Sequence, residues 1–350
     1  MNAPRAVALA LGLAAGPLIG SPTMLLPSDR PSPSPSPSPA ARALDLQGHR
    51  GARGLAPENT LAGFARALTL GVTTLELDLG VTRDGVVVVS HDAVLNPDHT
   101  RDASGRWLDA PGPAIFSLTF DELRRYDVGR LRPGTAYAAR FPEQAAVDGQ
   151  RIPAFREVAA LAGRAGNAVV RFNVETKLDP RYPARTPSPE PFAEAVVRVL
   201  REERLTGRAI VQSFDWRTLR HVRRLAPEIA LSCLTLQQGE DDNVQLGRPG
   251  PSPWLDGLDA DDFGGSVPRL VKAAGAGIWS PHFADLTPAA VREARQLGLQ
   301  VLPWTANEPE HLERLIDAGV DGIITDYPDR LRAVLQRRGL PLPEPTPVTP

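Results

Sequence analysis

One cysteine, Cys233, stands among 350 residues, so neither an intramolecular disulfide nor a multi-cysteine zinc site can form. Any metal must be held by oxygen or imidazole, which points to a hard cation. Neither sign of charge is in excess. With 39 basic against 41 acidic side chains and a formal net charge of −2, no positive field gathers a polyanion, and nucleic acid is excluded as the expected partner. Long apolar runs are lacking too. The one sustained stretch, Ala6 to Gly20, is about 15 residues against the roughly 20 needed to span a bilayer, and Gly12, Gly16 and Pro17 interrupt it. Preceded by Arg5 and free of acidic residues until Asp29, it predicts a secretory signal peptide or N-terminal anchor over residues 1–22. The expected product is exported, periplasmic or secreted, with no stable transmembrane domain in the mature chain.

Proline is abundant at 36 residues, and its excess begins in the alternating Pro-Ser run from Pro31 to Pro39. That run cannot pack, so residues 23–43 read as an extended linker. Residues 338–350 form a second Pro-rich segment, expected to be loose. Between them, over 44–337, eight strand-like runs alternate with helical patterns: Leu44–Gln47, Thr74–Leu79, Ala168–Val174, Ala209–Ser213, Ile229–Leu234, Gly277–Ser280, Gln300–Trp304 and Gly322–Thr325. This alternation predicts an α/β fold, a (β/α)8 TIM-type barrel. A doubly wound sheet is the competing architecture, but no glycine-rich dinucleotide fingerprint follows the first strand. Residues 97–151 are surplus to a barrel and read as a small inserted subdomain or lid. Val86–Ser90 breaks the alternation as a β-hairpin extension after strand two, and a two-residue Asp84-Gly85 loop predicts that Asp78 faces His91.

The working face of such a barrel is the C-terminal end of its strands. There the chain delivers Gly48-His49-Arg50-Gly51, Glu76-Leu77-Asp78, His91-Asp92, Glu175-Thr176-Lys177, Gln212-Ser213-Phe214, Trp304-Thr305-Ala306-Asn307 and Asp326-Tyr327. Residues two apart in a strand point the same way, so Glu76 projects with Asp78, and Glu175 with Lys177. Three carboxylates at one mouth repel unless a cation lies between them, and one divalent ion, Ca²⁺ or Mg²⁺, is the simplest resolution. Arg50 offers a planar fork to a phosphate, Lys177 offers a point charge, and His49 and His91 titrate near neutrality as an acid/base pair. This is the outfit of a phosphodiesterase.

Each residue also has a structural alternative. The histidines could be satisfied core groups, the acids could form an ionic layer with Arg50 and Lys177, and Glu175 could pair with Lys177 alone. Trp304 is expected to wall the pocket or line the core, and Asn307 to bind substrate or cap a helix. Pro57-Glu58-Asn59-Thr60 reads as a helix start capped by Asn59 or Thr60. His282 is within reach of the mouth; His99, His221 and His311 read as surface. Asp326 and Tyr327 are expected to order loops without a part in chemistry.

The ordered set His49-Arg50-Gly51, Pro57-Glu58-Asn59-Thr60, Glu76-Leu77-Asp78, His91-Asp92, Glu175-x-Lys177, Gln212-Ser213-Phe214, Trp304-Thr305-x-Asn307 and Gly322 to Pro328 resembles the glycerophosphodiester phosphodiesterase family, across nearly the whole body. The resemblance implies a TIM-type barrel cleaving glycerophosphocholine-like substrates to glycerol 3-phosphate and an alcohol. It implies metal ligation by Glu76, Asp78 and Glu175, His49 and His91 as general acid and base, and attack by a glycerol hydroxyl to give a cyclic phosphate that water opens. Arg50, Lys177, Phe214, Trp304 and Asn307 are the expected substrate contacts. Thr176 departs from the aliphatic residue common there, and 97–151 matches no particular substrate. The rivals are a phospholipase D-like enzyme acting on lysolipids or sphingolipids and a non-catalytic phosphodiester-binding barrel. An amidohydrolase would want a His-x-His pair on strand one, which Gly48-His49-Arg50 does not provide.

Overall fold

The computed structural model describes residues 43–350. The signal or anchor expected at 1–22 and all but the last residue of the 23–43 linker lie outside the described residues. Nine strands form one sheet: β1 (Asp45–Gly48), β2 (Thr74–Val81), β3 (Val87–Val89), β4 (Arg171–Thr176), β5 (Ala209–Ser213), β6 (Ala230–Thr235), β7 (Ile278–Pro281), β8 (Gln300–Val301) and β9 (Gly322–Thr325). Eight run parallel in the order β8-β7-β6-β5-β4-β2-β1-β9, and β3 pairs antiparallel with β2. The two ends of this order meet. Asp321 N–H donates to Val301 carbonyl (2.9 Å) and Ile324 N–H to Pro303 carbonyl (3.0 Å), bringing β9 onto β8 as a (β/α)8 barrel requires. Strand β8 is short because Pro303 has no N–H to offer, yet Leu302 and Trp304 still donate to Trp279 and Pro281 on β7.

Alternation decides what each strand buries. Leu75, Leu77 and Leu79 of β2 and Phe172 and Val174 of β4 are fully buried and belong to the apolar layer beneath the helices. The intervening Glu76, Asp78, Asn173 and Glu175 take the other face, the barrel interior. A polar ladder crosses that interior: Asn173 Nδ2 donates to Gln47 (2.8 Å) and Gln212 (3.0 Å), and Gln212 Nε2 donates to Glu76 (2.8 Å). Helices cover the outside with their apolar faces inward. Phe64, Ala65 and Leu68 of the helix Leu61–Leu70 are buried, and Thr60, not Asn59, is its cap, its hydroxyl accepting from Gly63 N–H at 3.1 Å.

Three expectations need correction. The hairpin register is one step off: Leu79 pairs with Val89, Gly80 with Val88 and Val81 with Val87, and Ser90 N–H donates to Asp78 carbonyl. The loop holds three residues, Arg83-Asp84-Gly85, with Gly85 at φ 80°, a turn plus left-handed glycine, so Asp78 faces Ser90 and not His91. Strand four starts at Arg171, because the Asn167 side chain accepts from Val169 and Val170 N–H and holds that stretch as a turn. The 338–350 tail is docked, not loose. Leu340, Leu342 and Val348 pack against the core, Thr346 N–H donates to Leu68 carbonyl (2.8 Å), and Arg332 reaches Pro343 carbonyl (2.7 Å). Segment 97–151 contributes Ile115, Leu123 and Val128 to a separate small core with Val88, Leu95 and Ile152.

Candidate active site

Parallel register sets Asp78 beside Glu175 on adjacent strands, with Glu76 two residues earlier on the same face of β2. One oxygen from each of Glu76, Asp78 and Glu175 falls within 4.8 Å of the others, all buried. Burial and then the Asp78 charge hold the Glu76 carboxyl well above its ordinary range. Burial pushes Glu175 up to about 7, although Lys177 lies 2.7 Å from it. Asp78 goes the other way: its burial is outweighed by Arg50 together with His91, Lys177 and His49. Asp78 Oδ2 accepts from Asn59 Nδ2 (2.9 Å) and lies 3.1 Å from Arg50 Nε, but Oδ1 has no hydrogen-bond partner, the nearest cation being Lys177 Nζ at 3.7 Å. A buried carboxylate oxygen without a donor, inside an all-oxygen trio, fits a hard divalent cation.

Two imidazoles line the same pocket, and each has Nδ1 on a carboxylate. His49, at the end of β1, puts Nδ1 2.7 Å from Asp326 Oδ1, and its Nε2 is 3.9 Å from Glu76. Asp326 is also gripped by Arg53 (2.8 and 3.1 Å) and by Asn307 Nδ2 (2.8 Å); Arg53 and His49 outweigh its burial and keep it ionised. An ionised carboxylate only accepts, so Nδ1 carries the hydrogen and Nε2 presents its lone pair. Burial and then Arg53 lower His49 to about 4, so the ring is neutral at pH 7. His91, a third exposed, repeats the device: Nδ1 is 2.8 Å from Asp92, and burial followed by Arg50 lowers its pKa. His99 is not the surface group expected; only 15% of its side chain is exposed, and it faces Asp92 at 3.8 Å.

The turn after β1 carries this arrangement. Arg50 sits at φ 50° and Gly51 at φ 87°, where an added Cβ would lie 2.7 to 2.9 Å from the backbone of Gly63 and Phe64. The turn therefore closes against the helix start, and Asn59 N–H donates to Arg50 carbonyl (3.0 Å) while Arg50 N–H donates to Glu76 (2.9 Å). Pro57-Glu58-Asn59-Thr60 is thus more than a cap: Glu58 accepts from Arg50 (2.7 Å) and from the Tyr137 hydroxyl of the inserted segment, which also lines the pocket. Arg50 and then Arg53 outweigh Glu58's burial and lower its pKa to about 2. A depressed carboxyl stabilises the fold above its unfolded pKa of about 4.5 and loses that contribution as pH falls toward about 2. Glu58→Gln is expected to lower stability on the order of 3 kcal/mol at pH 7. Urea midpoints of the two proteins should converge between pH 5 and pH 2; a gap that stays constant with pH contradicts this role.

The pocket, about 770 Å³, brings together His49, Arg50, Glu76, His91, Glu175 and Lys177 with Phe214, Trp304, His282 and Asn307. Phe214 and Trp304 meet edge to face with ring centres 5.3 Å apart, and His282 meets Trp304 at 5.2 Å. Asn307 spends one amide hydrogen on Asp326 and its oxygen on Thr325 Oγ1 and Asp326 N–H, so the structure shows it positioning Asp326. Asp326 itself stands at the end of the last strand, a place where the strand-end rule alone would have found it.

Residues 49–330 match the Glycerophosphoryl diester phosphodiesterase family. A glycerophosphodiester phosphodiesterase of Caldanaerobacter subterraneus subsp. tengcongensis is 30% identical over 83% of this chain and 97% of its own. A Bacillus subtilis protein of the same name is 28% identical over 82% of this chain and 84% of its own. Among solved structures, one from Silicibacter pomeroyi assigned to the glycerophosphoryl diester phosphodiesterases is 40% identical, with a TM-score of 0.74 over 85% of this chain and 95% of that one. An Oleispira antarctica phosphodiesterase in complex with the product sn-glycerol-3-phosphate shares the fold, at 22% identity, a TM-score of 0.60 and coverage of 84% and 97%. With the match running from His49, the first imidazole of the site, past Asp326, the chain belongs to the glycerophosphoryl diester phosphodiesterase family.

Proposed function

We propose that the protein hydrolyses glycerophosphodiesters to glycerol 3-phosphate and an alcohol, with one divalent cation, Ca²⁺ or Mg²⁺, held by Glu76, Asp78 and Glu175. The observation that carries this reading is the pairing of two imidazoles, each anchored through Nδ1 to a carboxylate, with a buried oxygen trio whose Glu76 and Glu175 line the same pocket. The relatives' names and the product bound to the Oleispira antarctica protein support the same reaction class. When bound, the cation neutralises phosphoryl charge. His49 or His91 takes the proton of the glycerol hydroxyl next to the ester, whose oxygen bonds to phosphorus as the bond to the departing alcohol breaks. The other imidazole enters the step carrying a proton on Nε2 as well as Nδ1, gives that alcohol its Nε2 proton and ends neutral; when water opens the cyclic phosphate it takes the water's proton while the first imidazole returns its own to the ester oxygen. Arg50 and Lys177 hold phosphate oxygens, and Phe214 and Trp304 wall the organic groups. Export, expected from residues 1–22, belongs to the same proposal.

The test is glycerol 3-phosphate release from glycerophosphocholine before and after chelation, with Ca²⁺ or Mg²⁺ restored. Release abolished by the chelator and recovered with one metal supports the reading and names the ion. Leu234, Leu236, Phe214 and Trp254 add an apolar side to the pocket, which favours lysolipids as the second substrate class. No release from glycerophosphocholine with either metal, but cleavage of a lysolipid or sphingolipid, would transfer the assignment there. Silence with all of them would leave a phosphodiester-binding barrel.

A further inference from the structure

Six basic side chains line the pocket: Arg50, Arg53, Arg140, Lys177, Arg181 and Arg185. Four have carboxylate partners. Arg50 pairs with Glu58 and Asp78, Arg53 with Asp326, Lys177 with Glu175, and Arg181 with Asp179 (2.7 Å) and Asp241 (2.9 Å). Among the described residues Arg140 and Arg185 pair with no carboxylate. Each instead stands over an aromatic ring, Arg185 Cζ 4.0 Å from the centre of Tyr182 and Arg140 Cζ 5.5 Å from Phe141 and 5.8 Å from Tyr137. Stacking occupies the flat face of a guanidinium and leaves its N–H edge for an anion. The two arginines come from separate parts of the chain, Arg140 from the end of the inserted helix Ala136–Ala139 and Arg185 from the connection after β4. Both reach the pocket that holds the reacting centre.

Beyond that centre the wall therefore carries three guanidiniums, Arg140, Arg181 and Arg185, against two carboxylates, Asp179 and Asp241, both committed to Arg181. A quaternary ammonium entering here finds no free carboxylate, one face of Tyr182 already covered, and Lys177 Nζ 5.8 Å from the Phe214 ring. An anion finds two unpartnered forks. We infer that this pocket prefers glycerophosphodiesters whose departing alcohol itself carries an anionic group, a second phosphate above all, received by Arg140 and Arg185. The inference rests on the phosphodiesterase reading and specifies its substrate class.

Three probes separate the charge of the alcohol from the reaction: glycerophosphocholine (cationic alcohol), glycerophosphoglycerol (neutral) and bis(glycerophospho)glycerol (anionic). Initial kcat/KM, followed by glycerol 3-phosphate release at low salt, is expected to be about five- to tenfold higher for bis(glycerophospho)glycerol than for glycerophosphoglycerol, and lowest for glycerophosphocholine. Two equivalent ends explain only about a twofold excess. Raising the salt to about 0.5 M should compress the ratio toward that value, because exposed charges are screened. The Arg140→Gln/Arg185→Gln double variant should do the same at low salt. A wild-type ratio of two or less, a ratio indifferent to salt, or a folded double variant that keeps the full ratio overturns the inference while leaving the phosphodiesterase reading intact. The salt series on the wild-type protein decides the matter if the variant does not fold. No release from any probe overturns the reading beneath it.

Discussion

His49→Ala is expected to lower kcat by about 10²–10⁴-fold, with KM much less affected, because in the proposed mechanism it removes a proton-transfer group and not a phosphate contact. The ring is prepared for that task by its surroundings. Asp326 fixes the tautomer, burial and Arg53 keep the ring neutral, and Nε2 stands 3.9 Å from Glu76 at the edge of the carboxylate trio. The variant should still fold, since Asp326 keeps Arg53 and Asn307 as partners when the imidazole is gone. Asp326→Asn tests the anchor separately. It leaves an imidazole in place but offers Nδ1 a donor as readily as an acceptor, so part of the population presents the wrong nitrogen, and a smaller loss, about 10–10²-fold, is expected. Steady-state kinetics beside a thermal melt distinguish these outcomes: a folded His49→Ala protein with unchanged kcat would remove His49 from the reaction.

How much of this was visible in the sequence follows from which interactions are local. The eight barrel strands register in composition because each buries a row of apolar residues on one face, and the strand ends register because polar groups such as Glu76, Asp78, Glu175 and His49 sit where an ordinary strand would stop. The pairing of Asp78 with Ser90 did not. An Asp-Gly pair fits two-residue and three-residue hairpin loops alike, and a single residue moves every cross-strand partner. The partners of Asp326, Asn59 and Glu58 escaped for a different reason. They are 277, 19 and 8 residues away, so their roles exist only once β9, β2 and the turn after β1 are brought together. Asn307 illustrates the same point: expected as a substrate contact, it lines the pocket and also holds Asp326, a bond that only the fold creates. The docked tail belongs here too, since its proline content argues for extension but says nothing of Leu340, Leu342 and Val348 finding the core.

Removing the divalent cation is expected to abolish turnover and also to weaken the fold, and the second effect is the more discriminating. Glu76, Asp78 and Glu175 are buried within 4.8 Å of one another, and of these three the charged groups of Arg50 and Lys177 pair only with Asp78 and Glu175. Glu76 receives neutral donors alone, Arg50 N–H and Gln212 Nε2, so its charge is the least compensated of the three. A cation binding the folded trio at about 100 times its Kd stabilises by about 2.7 kcal/mol, because the unfolded chain offers no such site. For a chain of this size that is a rise in melting temperature of several degrees, on a scale of about 2–4 °C per kcal/mol. Glu76→Gln should then have two opposite consequences. It keeps the hydrogen bond to Arg50 N–H through its amide oxygen and gives up the one from Gln212 Nε2, but relieves repulsion, and the net effect is a higher melting temperature of the chelated protein. It also deletes an anionic ligand, so the cation-induced rise shrinks or vanishes and turnover falls by about 10²-fold or more. Melting curves of wild type and variant, each with chelator and with Ca²⁺ or Mg²⁺, read both effects without any substrate. A wild-type protein whose melting temperature is indifferent to both ions would remove the cation from the site. A Glu76→Gln protein that melts lower than wild type under chelation would mean that this carboxylate is already compensated and that its burial needs no metal.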